Sequence, residues 1–248
     1  LLSEEDDVIH DMMQTNIISV QTLDDQEAVA RSLSKYGFLA LPVVDQENRL
    51  VGIITVDDAM DVLQEEVTED IEKMAAMLPS DKPYLKTGIF ETFKARIPWL
   101  LLLMISATFT GQIISTFENA LAAATILTAY IPMLMDTGGN CGSQASVSVI
   151  RGISLNEIEF SDLLQVIWKE IRVAVICGVA LSAANFVKLM LVDRLLFHNQ
   201  LVTIPVAAVI CSTMVCTVLC AKLVGCTLPL LAKKIGFDPA VMASPFIT

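Results

Sequence analysis

Two sets of oxygen-bearing side chains stand out in this sequence. Asp58, Asp61, Glu65, Glu69 and Glu72 follow one another at steps of three, four, four and three. On a helix that spacing puts all five carboxylates on one stripe. Like charges one turn apart oppose helix formation, so the stripe costs roughly 1–2 kcal/mol unless something neutralises it. Solvent and salt are one remedy. A hard divalent cation, which prefers carboxylate oxygens, is the other. Asp57, Glu66 and Asp70 add to the excess, against only Lys73.

The second set lies in Ile131-Pro132-Met133-Leu134-Met135-Asp136-Thr137-Gly138-Gly139-Asn140-Cys141-Gly142-Ser143-Gln144, inside an apolar region. Pro132, Gly138, Gly139 and Gly142 are poor helix interiors. Unwound backbone at membrane depth survives only where it is buried in protein or lines water. Its freed carbonyls, with Asp136, Asn140 and Gln144, would face a cation or its hydration water. The rival reading is a kinked helix with glycines at a helix–helix contact. The pore reading is taken because a carboxylate and two amides share one stretch. Beside such a path, cation sensing is also the preferred reading of the acidic stripe.

Catalytic residues are expected to be none. His10 and His198 are isolated, and no nucleophile–base pair or metal triad is evident. All six Cys follow residue 140 without a CxxC pair and read as small buried residues.

The elements that must position these groups fall into two kinds. Of 248 residues 54% are hydrophobic, and the net charge is −12. Most of the acidic excess precedes residue 97, and most of the apolar content follows it. The pattern is a soluble module joined to a membrane module. An acidic module repels nucleic acid, so no nucleic-acid partner is expected.

The soluble part reads as a strand at 16–20, then a helix capped by Asp24 or Asp25 and running to Tyr36, with Val29 and Leu33 inward. Gly37 is its stop signal. Strands at 38–44 and 49–55 flank a turn of Asp45-Gln46-Glu47-Asn48, and a second helix starts near Val56. Met60, Leu63, Val67 and Met74 form the face of that helix expected to pack. Pro79 to Pro83 breaks it. A short amphipathic linker helix is expected at 87–96. Lys86, Lys94 and Arg96 precede the first apolar run, a membrane-surface pattern. Spans are expected at 97–117, 119–149 (interrupted), 163–192 and 201–221, with a fifth beginning at 240. Lys94, Arg96, Arg151, Lys169, Arg172, Lys233 and Lys234 share the side of the soluble module, which puts that module in the cytosol. Leu1 without a Met, and Thr248 inside an apolar segment, suggest a fragment at both ends.

The fold expected is an α+β cytosolic module (β-α-β-β-α) followed by an all-α polytopic membrane domain. Residues 1–66 form the module, 67–96 the acidic connecting helix and linker, and 97–248 the membrane domain.

The run Gly52-Ile53-Ile54-Thr55-Val56-Asp57-Asp58 resembles the strand-to-helix junction of a cystathionine-β-synthase (CBS) domain. In such domains a Thr and an Asp there hold the ribose and phosphate of ATP or another adenine nucleotide, and Thr55 and Asp58 match. The alternative is that both merely cap the helix. A single CBS motif normally needs a partner to bury its sheet, and Leu1-Leu2 matches the tail of a first copy.

With Thr68-Glu69-Asp70-Ile71, then Gly138-Gly139-Asn140, Gln144 and Arg151-Gly152 after Pro132, and finally Asp238-Pro239-Ala240 with Ser244-Pro245, the whole chain resembles the MgtE family of magnesium channels. The resemblance implies a homodimer in the cell membrane, multi-pass, with five spans per subunit and one central pore lined by the second and fifth. It implies Mg²⁺ uptake gated by cytosolic Mg²⁺, held by Asp58, Asp61, Glu66, Glu69, Asp70, Asp238 and Glu27. Gly37 stands where some relatives carry an acid. The pore residues implied are Asp136, Gly138, Gly139, Asn140, Gln144 and Thr248. The family's central fifth-span Asp would lie four residues past Thr248. Members of the family also carry an acidic N-terminal domain and a first CBS motif, which would be expected before Leu1. The rivals are a secondary carrier for Mg²⁺, Co²⁺ or another divalent ion, and a CBS-nucleotide-regulated membrane enzyme.

Overall fold

A computed structural model describes residues 13, 16–80, 82–122, 125–242 and 247. Leu1, Leu2, His10, Ser244, Pro245 and Thr248, and the expected fifth span beyond Met242, lie outside the described residues. The chain divides into two compact units, Leu1–Glu69 and Asp70–Thr248.

In the first unit, Asp25 caps α1 (Gln26–Tyr36) by accepting the Ala28 N–H at 3.1 Å. Gly37 ends the helix at φ 65°, a left-handed conformation that suits a residue without Cβ. Strand β1 (Val20–Gln21) pairs in parallel with β2 (Ala40–Val44), which pairs antiparallel with β3 (Leu50–Thr55). Asp45 shapes the hairpin by accepting the N–H groups of Glu47 and Arg49. Residues 16–19 were expected to belong to the first strand but are exposed and outside the ladder. Only Val20 of that stretch reaches the core of Val29, Ala30, Leu33, Leu41 and Ala59.

Helix α2 (Val56–Met74) starts at the expected residue. Its packing face differs from expectation. Ala59, Val62 and Leu63 meet the core, whereas Met60 is 65% and Val67 58% exposed. The core of this small sheet accepts a narrow stripe of α2, and Met60 and Val67 sit a quarter-turn outside it.

In the second unit, α3 (Ile89–Thr116) continues through Pro98, so the expected linker helix and first span are one element. After α4 (Glu118–Ala122) and a 3₁₀ segment at Thr125–Tyr130 comes α5 (Ile131–Ser154). Helix α6 (Leu163–Lys188) passes into a π-helical stretch at Leu189–Leu196, and α7 (Ile204–Lys234) follows. Among the described residues three helical segments could cross a membrane by length and composition: Ile89–Thr116, Phe160–Leu196 and Ile204–Lys234. Helix α7 does not end near residue 221, where the fourth span was expected to end, but buries Lys222 and runs on to Lys234. Cys141, Cys211 and Cys226 are buried as expected, but Cys216 and Cys220 lie on the exposed side of α7.

Candidate functional site

Helix α5 is where the sequence placed its oxygen donors, and there the structure corrects the expectation. Residues Gly138, Gly139, Asn140 and Gln144 lie in unbroken α-helix, not unwound backbone. The break falls earlier, in the 3₁₀ segment before Ile131. Inside a low-dielectric bundle every unpaired peptide group costs several kcal/mol, whereas each helical glycine costs about 1 kcal/mol relative to Ala, so the intact ladder wins. The carbonyls therefore hydrogen-bond within the helix and are not freed as ligands.

The glycines serve contact instead. A Cβ on Gly142 would lie 3.0 Å from the Ala221 carbonyl oxygen of α7, and one on Gly225 would overlap the Gly142 carbonyl. A Cβ on Gly138 would come within 2.7 Å of Thr217. Glycine here lets α5 and α7 meet backbone to backbone.

The side chains tell a different story from the backbone. Asp136, Asn140 and Gln144 lie four residues apart on the exposed side of α5, opposite the buried Gly138, Cys141, Gly142 and Ala145. Ser148 and Arg151, both exposed, prolong the stripe. They were not among the expected site residues, although a further step of four reaches Ser148 and one of three reaches Arg151. What remains of the expected oxygen set is one carboxylate and two side-chain amides in a file about two turns long.

The acids of the expected sensor are spread over both units. Asp58 accepts the Thr55 backbone N–H at 3.1 Å and the Thr55 hydroxyl, which holds its carboxyl below the ordinary range. Thr55 and Asp58 thus cap α2. Glu27 pairs with Arg31 one turn on, and Glu66 accepts a hydrogen bond from Gln26 at 2.9 Å. Asp61 is exposed. Glu69 and Asp70 are half-buried and engaged by other groups. Asp238 is held by Lys73, whose Nζ lies 2.6 Å from Oδ2. Among the described residues no three His, Cys, Asp or Glu side chains converge as a metal cluster.

A cleft of about 260 Å³ in the first unit is lined by Gln21, Thr22, Asp24 and Asp58 over an apolar floor. Thr55 is not part of its wall. Two carboxylates and no Lys or Arg in the lining suit a cation or a neutral group better than a phosphate.

Residues 131–248 match the divalent cation transporter family MgtE, and residues 8–65 match the CBS domain. The chain is 38% identical over 239 residues to the magnesium transporter MgtE of Thermus thermophilus, covering 96% of this chain and 51% of that protein. It is 36% identical to the magnesium transporter MgtE of Bacillus subtilis, over 100% of this chain and 53% of that protein. The corresponding protein of Enterococcus faecalis is 33% identical over 100% of this chain and 52% of its own length. The chain spans about half the length of the curated relatives it matches.

Proposed function

The chain is a member of the MgtE family, with a divalent cation transporter domain behind a CBS domain, and from that premise we propose that it conducts Mg²⁺ across the cell membrane. It acts as a channel rather than an enzyme, built as a homodimer around a path lined by α5. The observation that carries this reading is the exposed file of Asp136, Asn140 and Gln144 on a helix of the transporter domain. Such groups are costly against lipid and belong on a water-filled path. A second copy facing the stripe would close it into that path.

Mg²⁺ gives up its water reluctantly. A file of amide oxygens and one carboxylate can bind the hydrated ion through its outer shell, without a dedicated cage. That fits the absence of a convergent metal cluster among the described residues. Gly138 and Gly142 serve the path by bringing α7 up behind it, Gly139 is buried beside them, and Thr248 would add an oxygen from the fifth span.

The regulatory half of the reading uses Asp58, Asp61, Glu66, Glu69, Asp70, Asp238 and Glu27 as a distributed sensor of cytosolic Mg²⁺. Cations screen the repulsion along α2 and favour the closed state by differential binding. Lys73 already supplies one positive charge at Asp238, so a metal ion there would share the carboxylate with an ammonium. The CBS module lies on the cytosolic side, with 1–66 as the module, 67–96 as the connection and 97–248 as the conducting domain. Its cleft is a second ligand site, for a cation or for the neutral part of an adenine nucleotide.

The test is Mg²⁺ uptake into proteoliposomes by the full-length protein. Asn140→Ala and Asp136→Asn should each lower uptake about tenfold, a loss of roughly 1.4 kcal/mol in the barrier for ion passage. Undiminished uptake by both would remove α5 from the path. Discrete single-channel currents support a channel, and their absence with saturable uptake supports a carrier.

A further inference from the structure

Glu170 on α6 and Lys222 on α7 are 9% and 5% exposed, the charged side chains buried in the helical unit among the described residues. Lys222 Nζ lies 3.5 Å from Glu170 Oε2. Burying such a pair commonly costs more than the attraction returns, and apolar replacements of similar size are often neutral or stabilising. Packing alone therefore gives no reason for it. An ionisable pair inside a membrane domain calls for a functional account with both partners named.

Its place supplies one. On α7, Met214 and Val218 pack with Cys141 of α5 and Ala174 of α6 in one apolar layer. Cys226 and Leu230 pack with Val149, Ile153 and Ile167 in another. Glu170 and Lys222 fill the level between these layers. At that level Ala221 and Gly225, on either side of Lys222, press on the backbone of Gly142. Gly142 stands between Asn140 and Gln144 in sequence and turns its back to them. Ser146, fully buried on the same stretch of α5, has a hydroxyl without a hydrogen-bond partner, so this level is polar on all three helices.

We propose that Glu170 is a positioning residue for ion passage: it fixes Lys222 behind the α5 stripe and cancels its charge, so a dication in front meets no net repulsion. The inference rests on α5 lining the path and adds an electrostatic determinant from outside the lining. A bare ammonium at this level would act on a divalent ion with twice the energy it exerts on a monovalent one.

The test is the Mg²⁺ concentration dependence of uptake by the full-length protein in proteoliposomes. Glu170→Gln should raise the apparent KM about fivefold or more, because the Lys222 charge is left uncancelled in a low-dielectric setting. Lys222→Met should lower it. The neutral double variant E170Q/K222M and the conservative Glu170→Asp should both stay within about twofold of the original protein. Opposite shifts for the two single variants are a signature that mere structural damage does not produce. Shifts in the same direction, or no shift in either, overturn the proposal. If E170Q fails to elute as a folded species, a double variant at the original KM with K222M below it still supports the proposal, and any other result for those two overturns it. Asn140→Ala run alongside separates the two ideas. If N140A impairs uptake while the pair variants fail to diverge, only the present inference falls. If N140A has no effect, the path reading falls and this inference with it.

Discussion

Asp58 shows how a single carboxylate serves structure before it serves any ligand. Its Oδ2 accepts two hydrogen bonds from Thr55, one from the backbone and one from the hydroxyl, at the first turn of α2. Both favour the ionised form, so its folded pKa lies below the ordinary aspartate value. The sign of the linkage follows. The stabilisation is fully present above the ordinary value and is lost as pH falls through the lower, folded one. Asp58→Asn should therefore lower the melting temperature at neutral pH and shrink the loss of stability on the acid side. Thermal unfolding followed by circular dichroism across that range checks it. An identical acid limb in the variant would contradict the assignment. Both roles of Thr55 and Asp58 were legible in the sequence, because a Thr three residues before an Asp fits either a cap or a sugar contact. Geometry shows the cap, and residue types alone could not choose.

At the scale of elements, the contact between α5 and α7 organises the transporter domain. Gly225→Ala would drive its Cβ into the Gly142 carbonyl, a backbone atom that cannot swing aside, and Gly142→Ala meets the Ala221 carbonyl. Each should cost about 1–3 kcal/mol of stability, as overpacking does. Gly111→Ala on α3 meets nothing within 4 Å and should leave stability unchanged or raise it by up to about 1 kcal/mol through helix propensity. Melting of the purified protein in detergent distinguishes the three. Equal effects would show that α5 and α7 do not meet at these glycines. The same contact explains where sequence reasoning stopped. A Gly-rich apolar stretch is equally expected of unwound backbone and of close helix packing, and only the neighbour, α7, decides. The end of α7 was placed too early for a related reason. A lysine at the end of an apolar run reads as the membrane surface, and only the position of Glu170, 52 residues earlier, reveals a buried partner. By contrast Asp25, Gly37 and Val56 marked helix ends that the structure reproduces, because capping is decided within a few residues.

At the scale of the whole molecule, the proposed function couples an acidic module to a cation path. The exposed Leu39, Val51, Ile53 and Met60 of the first unit are apolar surface of the kind that a second CBS copy would cover. If α2 senses cations, Asp61→Ala, Glu66→Ala and Glu69→Ala combined should raise the cytosolic Mg²⁺ needed to halve uptake by several-fold, on the order of 1 kcal/mol of coupling. An unchanged inhibition curve would confine the acids to solubility. The proposed path requires, above all, that water reach the face of α5 bearing Asp136, Asn140 and Gln144. It is tested most directly by placing single cysteines along α5 in a version of the protein freed of its native ones, then adding a charged, membrane-impermeant thiol reagent during Mg²⁺ uptake. Asn140→Cys and Gln144→Cys should react and uptake should be blocked, whereas Ala145→Cys on the packed side should stay inert. Unreactive cysteines at 140 and 144, or labelling there that leaves uptake untouched, would contradict it.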